Sequence, residues 1–229
     1  MKRFVVIGLL VIFTFSAPVS AAKLPADLLA DASSVMKEMS AQPDSEHFHA
    51  MLQKAYGVAI FPSVIKAGLG LGGRYGEGLI LKYDPHTRGW YGPYFVTMKG
   101  LSYGFQVGVQ STALVLVVTS ERGMESLQEG KITLGGNLSV AVGPMGRSAE
   151  AGTDLQLKAP IYSYSLSKGA FIGASFEGAV IDNNVNANQV FWQEGLTPKQ
   201  ALERRATGES VQALLEELNL SIGNIKVGG

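Results

Sequence analysis

The chain has 229 residues, with 19 Lys and Arg against 19 Asp and Glu, 46% hydrophobic residues and no cysteine. A formal net charge of zero excludes the global basic field of a typical nucleic-acid-binding domain, and the lack of cysteine excludes disulfides, thiolate metal sites and cysteine nucleophiles. The length suits one substantial hydrophobic core, so we expect a single domain over residues 23–229.

The N-terminal residues have the pattern of a secretory signal peptide. Lys2 and Arg3 precede an apolar run from Phe4 to Phe15, and small residues follow as far as Ala22. The run is shorter than the roughly 20 apolar residues that a transmembrane helix needs. We therefore predict a signal peptide over residues 1–22 and an exported domain, periplasmic or secreted, that is soluble or peripheral on a membrane.

Two amphipathic helices are predicted next. The first runs from Leu24 to Met39, and the second from Glu46 to Ala55. The apolar side chains of the first helix recur at helical spacing and include Leu28, Leu29, Val35 and Met36. Such a stripe either packs on the core or also contacts lipid.

From Gly57 to Val118 the pattern changes to β structure. Strands are predicted at residues 59–65, 79–83, 90–98, 101–110 and 113–118. A turn signal at residues 84–89 joins two of them into a hairpin, and the continuous apolar run at 113–118 indicates a strand buried on both faces. Glycine occupies nearly every second position between residues 68 and 78, which indicates close backbone approach, bulges or positive φ.

The C-terminal half combines short strands and helices. A short helix is predicted after Thr119 or Ser120, and a capping box at Thr197 opens another helix as far as about Arg205. The last predicted helix runs from Glu209 to Leu218. Strands are predicted at Ile132–Val142, Ala149–Leu157, Ile161–Leu166 and Ala170–Ile181. The expected fold class is therefore α+β, with a central, strongly curved, barrel-like antiparallel sheet flanked by N- and C-terminal helices.

Catalytic and metal chemistry find little support in the sequence. Gly68, Gly70 and Gly73 match the dinucleotide fingerprint, but a β run follows them where that fingerprint needs a helix. The three histidines form no metal-ligand pattern. We predict no enzyme activity, no metal and no cofactor.

Basic residues beside glycine-rich backbone are the feature that points to a ligand. Exposed amides in glycine loops bind anions, and a neighbouring cation adds charge, so an anionic head group is a candidate ligand. The alternative is that these are ordinary surface charges. The residues are Lys66, Arg74, Lys82, Lys99, Arg147 and Lys168.

Four segments together resemble a known family. They are FPSVIKAGLGLGGRYGEGLI, SYGFQVGVQSTALVLVV, KITLGGNLSVAVGPMGRSAEA and IYSYSLSKGAFIGASFEGAVI, in that order. They resemble the lipid-binding SYLF domain, which is also the actin-binding domain of certain yeast endocytic proteins. The resemblance implies non-enzymatic binding of phosphoinositides or other anionic lipids through an amphipathic N-terminal helix and basic residues. In this chain the implied lipid-binding residues are Lys66, Arg74, Lys168, Leu28, Leu29, Val35 and Met36.

The expected partner is an anionic lipid or a membrane surface, and no nucleic acid. Actin is an unexpected partner because the predicted signal peptide takes the chain out of the cytosol. A structural or protein-interaction module of the cell envelope, with no lipid ligand, is the alternative function. The sequence leaves the identity of the lipid and the oligomeric state open.

Overall fold

The computed structural model describes residues 23–144, 159–172 and 175–223. These residues form six helices and seven strands in one α+β domain. The helices are α1 (Pro25–Ser40), α2 (Glu46–Leu52), α3 (Glu121–Gln128), α4 (Val185–Trp192), α5 (Pro198–Ala201) and α6 (Glu209–Gly223). The strands are β1 (Gly57–Asp84), β2 (Gly89–Val118), β3 (Ile132–Thr133), β4 (Val140–Val142), β5 (Ile161–Ser167), β6 (Ala170–Ile172) and β7 (Val180–Asn183). The predicted signal peptide and the predicted strand Ala149–Leu157 lie outside the described residues.

One long antiparallel hairpin, β1 with β2, forms the centre of the sheet. Its register runs from Gly57 opposite Val118 to Asp84 opposite Gly89. Asp84 stabilises the turn by accepting hydrogen bonds from the His86 amide and the Thr87 hydroxyl, both at 2.9 Å. These bonds lower the pKa of the Asp84 carboxyl. The predicted hairpin is confirmed, although two long strands replace the five short ones expected.

The other strands extend the sheet from β2. Residues 113–118 of β2 pair with β5, and residues 96–99 pair with β7. β3 pairs with β7 and β6 with β5, again antiparallel, while β4 runs parallel to β5. The curved, mainly antiparallel sheet with flanking helices confirms the expected fold class.

Two predicted strands are wrong as continuous elements. Residues 132–142 divide into β3 and β4, because Gly135 has a φ of 75° and the Thr133 amide donates to Asn137 Oδ1 at 2.7 Å in an intervening turn. Residues 170–181 divide into β6 and the start of β7, and Gly178, with a φ of 73°, lies just before β7. Glycine readily adopts the left-handed conformation that both turns use.

The core has two parts, one on each face of the sheet. Val115 and Val117 of β2 pack with α1, α2 and α6, while Leu114 and Leu116 pack with α3 and α5. All four are fully buried. This confirms that residues 113–118 form a strand buried on both faces, since successive side chains of a strand point to opposite sides.

Local capping signals set several helix ends. The Ser120 hydroxyl accepts from the Gly123 amide at 3.0 Å at the start of α3, and the predicted capping box of Thr197 and Gln200 opens α5. α5 ends at Ala201, earlier than predicted, and α4 is absent from the sequence prediction. In the described part of the chain, no helix has the length and the apolar composition needed to cross a membrane.

Candidate functional site

Strand β1 doubles back on itself near its middle. A Cβ atom at Gly72 would lie 2.4 Å from the carbonyl oxygen of Ala67, and one at Gly78 would lie 2.5 Å from that of Ile60. The Tyr83 amide also donates to the carbonyl oxygen of Tyr56 at 2.8 Å. The two halves of β1 therefore run antiparallel in close contact, and side chains larger than hydrogen do not fit at these two glycines. Close backbone approach explains much of the glycine-rich segment.

The bend leaves one end of the hairpin projecting from the core. We call residues 62–76 and 97–112 the distal half of the hairpin. Within it, residues 100–112 of β2 pair with β1 alone among the described residues, because β7 pairs only as far as Lys99 and β5 begins at Ala113. The register of the hairpin shifts between Leu69 and Gly70, which lie at the bend. Residues 100–112 of β2 are therefore the part of this strand that no third described strand covers.

Arg74 is the best-defined cation of the distal half. Its Nη1 donates to the carbonyl oxygen of Ser175 at 3.0 Å, and its guanidinium carbon lies 5.5 Å from the centroid of the Phe176 ring. The Nε atom is buried and has no hydrogen-bond partner among the described residues. Burial lowers the pKa of Arg74, but a guanidinium stays charged at any physiological pH. The contacts hold a charged group whose Nε has no hydrogen-bond partner in the described part of the chain.

Two lysines accompany Arg74. Lys66 is half-buried and lies opposite Gln110 in the register of β1 with β2. Lys99 is exposed and lies opposite Tyr75. The distal half contains these three cations and no Asp or Glu. The nearest acidic neighbour in β1, Glu77, accepts hydrogen bonds from the Tyr75 hydroxyl at 3.1 Å and from the Lys23 amide at 3.2 Å. The distal half therefore has a local positive charge on a chain whose net charge is zero.

Exposed apolar side chains lie beside these cations. Leu101 and Val109 are 62% and 78% exposed, and Ile65 and Tyr75 are 42% and 44% exposed. Ile65 and Tyr75 line a small groove of about 100 Å³ against Leu28 of α1. Burial, with the charge and hydrogen bond of Glu77, raises the pKa of Tyr75. Lys99 shares a face of the hairpin with Leu101 and Tyr75, whereas Lys66 and Arg74 lie on the opposite face. Apolar and basic side chains therefore occur in the same half of the hairpin, on both of its faces.

The remaining predicted site residues lie elsewhere. Lys168 is exposed in the β5–β6 turn, where it has a φ of 51°, and does not belong to the hairpin. Leu28, Leu29, Val35 and Met36 are buried in the core beneath α1. Of the two interpretations of the α1 stripe, the structure shows core packing, and lipid contact by these four side chains requires α1 to leave the sheet. Arg147 lies outside the described residues.

A larger groove of about 760 Å³ lies at the opposite end of the hairpin, between its turn and helices α3 and α5. Its charged lining has more carboxylates than lysines: Asp84, Glu121, Glu125, Glu129 and Glu203 against Lys82 and Lys199. No group of three or more acidic or histidine side chains that could hold a metal ion occurs in the described ranges. The two ends of the hairpin therefore differ in charge.

Sequence reasoning names Lys99 among six candidate cations but does not single it out, and it does not place Leu101 and Val109 in the site. In the sequence Lys99 is one of several cations beside glycine, and the other two are ordinary strand residues. The sequence contains one feature that could have indicated this region: no Asp or Glu occurs from Pro85 to Ser120. Their shared position becomes apparent only from the strand register.

Comparison with known proteins identifies the family. The model of the Ysc84 family, described as Las17-binding protein actin regulator, matches residues 99–220, more than half of the chain. The chain is 38% identical over 184 residues to SH3 domain-containing protein PJ696.02 of Schizosaccharomyces pombe, covering 78% of this chain and 42% of that protein. It is 40% identical over 159 residues to Protein YSC84 of Saccharomyces cerevisiae, covering 68% of this chain and 33% of that protein.

A human relative gives the same result. SH3 domain-containing YSC84-like protein 1 of Homo sapiens is 34% identical over 171 residues, covering 72% of this chain and 49% of that protein. The chain thus spans between a third and a half of the length of these relatives. The resemblance found in the sequence is confirmed: the chain belongs to the Ysc84 family, whose shared unit is the SYLF domain.

Proposed function

We propose that this chain binds an anionic lipid surface, without catalysis, through the distal half of the hairpin. The observation that supports this is the combination of Lys66, Arg74 and Lys99 with no carboxylate in residues 62–76 and 97–112. Each Lys or Arg near an anionic membrane contributes about 1 kcal/mol of attraction. Three such charges give measurable binding that depends on the anionic lipid and weakens with salt.

Arg74 is the central head-group ligand in this proposal. Ser175 and Phe176 fix its guanidinium, so little side-chain entropy is lost when a phosphate binds. A guanidinium presents paired donors that match phosphate geometry, and Nη2 is free of the bond that Nη1 makes to Ser175. Lys66 and Lys99 act as less specific point charges.

Vesicle flotation tests the proposal. The protein should float with vesicles of equal parts phosphatidylcholine and phosphatidylglycerol and stay unbound with phosphatidylcholine alone. Replacing Lys66 and Lys99 together by Gln removes two charges and should weaken binding roughly thirtyfold. The matched control is Lys199→Gln in the acidic groove, which should bind as well as the parent protein. Equal binding to neutral and anionic vesicles at low salt contradicts the proposal.

A protein partner is the second candidate function. The matched family is described as Las17-binding and actin-regulating, and this description favours a filament or protein ligand. The expectation that actin is not a partner depends only on the predicted export of the chain. Co-sedimentation with actin filaments tests this candidate, and saturable binding that lipid vesicles do not compete with would favour it over the lipid proposal.

Export of the chain is also a proposal. Lys2, Arg3 and the apolar run before the small residues Ser16 to Ala22 support cleavage near residue 22, as the sequence predicts. The intact mass of the protein from an expressing bacterial culture, fractionated into cytoplasm and periplasm, provides the test. A full-length protein confined to the cytoplasm would refute export and would remove the reason for setting actin aside.

A further inference from the structure

We propose that the end of the hairpin inserts apolar side chains into the bilayer while the cations bind head groups. This inference depends on the proposed lipid-binding function and assigns it a geometry. The inserting side chains are Leu101 and Val109. Ile65 and Tyr75 lose contact with water as well when the hairpin inserts. All four are exposed in the structure.

The strand register places these side chains in two groups, one on each side of the bend, and the members of each group share a face. Gly73 pairs with Leu101, and two residues further along β1 Tyr75 pairs with Lys99. In the other half of the hairpin, Ala67 pairs with Val109 and, two residues back, Ile65 pairs with Ser111. Residues two apart in a strand, and residues directly opposite in a pair, share a face of the sheet.

The groove beside α1 joins the two groups. Ile65 belongs to the first half of β1 and Tyr75 to the second, and both line the groove with Leu28. The doubled-back path of β1 brings them together, as the close approach of Gly76 to Ser63 shows: a Cβ atom at Gly76 would lie 3.0 Å from the Ser63 carbonyl oxygen. We call the exposed set Ile65, Ala67, Tyr75, Leu101 and Val109 the outer face.

The positions along the strands give an order of depth. The pairs that contain Leu101 and Val109 lie one residue nearer the bend than Arg74 and Lys66, and Leu101 lies two residues nearer than Lys99. A strand rises about 3.3 Å per residue, so the cations lie roughly 3–7 Å behind the apolar tips. Amphipathic elements bury apolar side chains about 5–10 Å into the head-group and acyl boundary. For a hairpin that enters the bilayer end-on, this spacing fits Lys99 on the outer face and Lys66 and Arg74 on the opposite face at the level of the phosphates, with Leu101 and Val109 just below them.

Charge favours a bilayer over another protein chain as the occupant of this surface. The rim of a protein–protein interface is polar and usually carries charges of both signs, whereas the distal half itself contains three cations and no carboxylate, with Glu77 and Asp182 at its border. The apolar side chains are exposed at the projecting end of a hairpin and do not line a deep groove, which suits a fluid surface that needs no matching shape. We therefore assign the outer face to an anionic membrane.

Single-cysteine labelling tests insertion directly. The natural chain has no cysteine, so one introduced cysteine is the only labelling position. The environment-sensitive dye NBD is attached at Leu101→Cys or Val109→Cys, with Val190→Cys as the control, since Val190 is 59% exposed on α4. On phosphatidylcholine–phosphatidylglycerol vesicles we expect a blue shift and protection from iodide at positions 101 and 109, and no change at 190.

The outcomes separate the two proposals. If the labelled protein floats with the vesicles but iodide still quenches the dye at positions 101 and 109, insertion is overturned. Lipid binding then stands without insertion. Absence of flotation overturns both. A blue shift that appears without vesicles as protein concentration rises assigns the outer face to self-association and also overturns insertion.

A second variant pair checks the energetic contribution. Leu101→Asp and Val109→Asp should each weaken vesicle binding roughly tenfold or more, because burial of an aliphatic side chain of this size is lost and a like charge for the membrane is gained. Both positions are exposed, so thermal stability should not change. Val190→Asp is the matched control and should bind normally. Unchanged binding of both outer-face variants contradicts the inference.

Discussion

Gly78 lies directly against the ring of Phe61, so that a Cβ atom at Gly78 would be 2.4 Å from Cδ1 of that ring. The same atom would be 2.5 Å from the carbonyl oxygen of Ile60. Real Cβ atoms do not approach other atoms so closely, and part of the obstacle is backbone. The contact fixes the separation of the two halves of β1.

Gly78→Ala should therefore destabilise the protein by about 2–3 kcal/mol, because the added methyl group forces the two halves of β1 apart. The matched control is Gly73→Ala on the same strand, where the new Cβ would lie 4.0 Å from the Gly100 carbonyl oxygen in ordinary contact. Urea unfolding measures both. Equal stability of the two variants would show that the halves of β1 are not in close contact.

Asn188 should be essential for stability although it has no part in lipid binding. Its Oδ1 accepts from the Phe95 amide at 2.9 Å, and its Nδ2 donates to the Phe95 carbonyl at 2.7 Å. Asn188→Ala leaves buried backbone groups of β2 without these partners, at a cost of about 1–3 kcal/mol. Asn186→Ala, at an exposed position of the same helix, should change the unfolding free energy by less than about 0.5 kcal/mol. A similar loss in both variants would argue against these bonds.

His49 should make the protein less stable in mild acid. Its imidazole is buried, Nε2 has no hydrogen-bond partner among the described residues, and burial lowers its pKa below 6.5. The unfolded chain takes up a proton near the ordinary value, while the folded chain resists it, so falling pH favours unfolding. The contribution is complete above about pH 6.5 and is lost as pH falls toward the lowered pKa.

Replacing His49 with Met should reduce this acid sensitivity. Urea midpoints of the parent and His49→Met should converge or cross as pH falls from 7 to 5. His86→Gln, in the exposed hairpin turn, is the control and should follow the parent curve. A parent curve and a His49→Met curve that stay parallel over this range would refute the assignment.

Leu29→Ala separates the two interpretations of the α1 stripe. Leu29 is fully buried, so the substitution should cost about 2–5 kcal/mol of stability. If α1 stays docked, the folded fraction should bind anionic vesicles as tightly as the parent does, measured at a temperature where the variant remains folded. Leu24→Ala, at a 62% exposed position, should leave stability nearly unchanged. Loss of vesicle binding by folded Leu29→Ala would support direct lipid contact by α1.

Local chemistry explains what could be predicted from the sequence. The hairpin turn, the Ser120 and Thr197 caps, the α1 and α6 stripes and the doubly buried run at 113–118 each depend on neighbouring residues. The curved α+β fold followed from these elements and from the density of glycine. α4 escaped prediction because its sequence, VNANQVFW, has no clear apolar stripe and is held by the tertiary bonds of Asn188.

The candidate site was harder to predict because faces of a strand depend on register. Bulges between Phe61 and Val64 and between Leu69 and Gly70 shift the pairing of β1 with β2. A shift of one residue moves every side chain to the other face, so the outer face could not be assigned from alternation alone. The burial of the apolar side chains of α1 likewise depends on how α6 and the sheet pack against that helix.

The charge difference between the two ends of the hairpin has a kinetic consequence. Cations in the distal half and an excess of carboxylates in the groove near the turn give the hairpin a dipole along its length, even though the formal charge of the chain is zero. Near an anionic surface such a dipole experiences a torque that turns the bend toward the surface before contact. Added salt should therefore slow association more than it speeds dissociation, and most encounters should begin in the productive orientation.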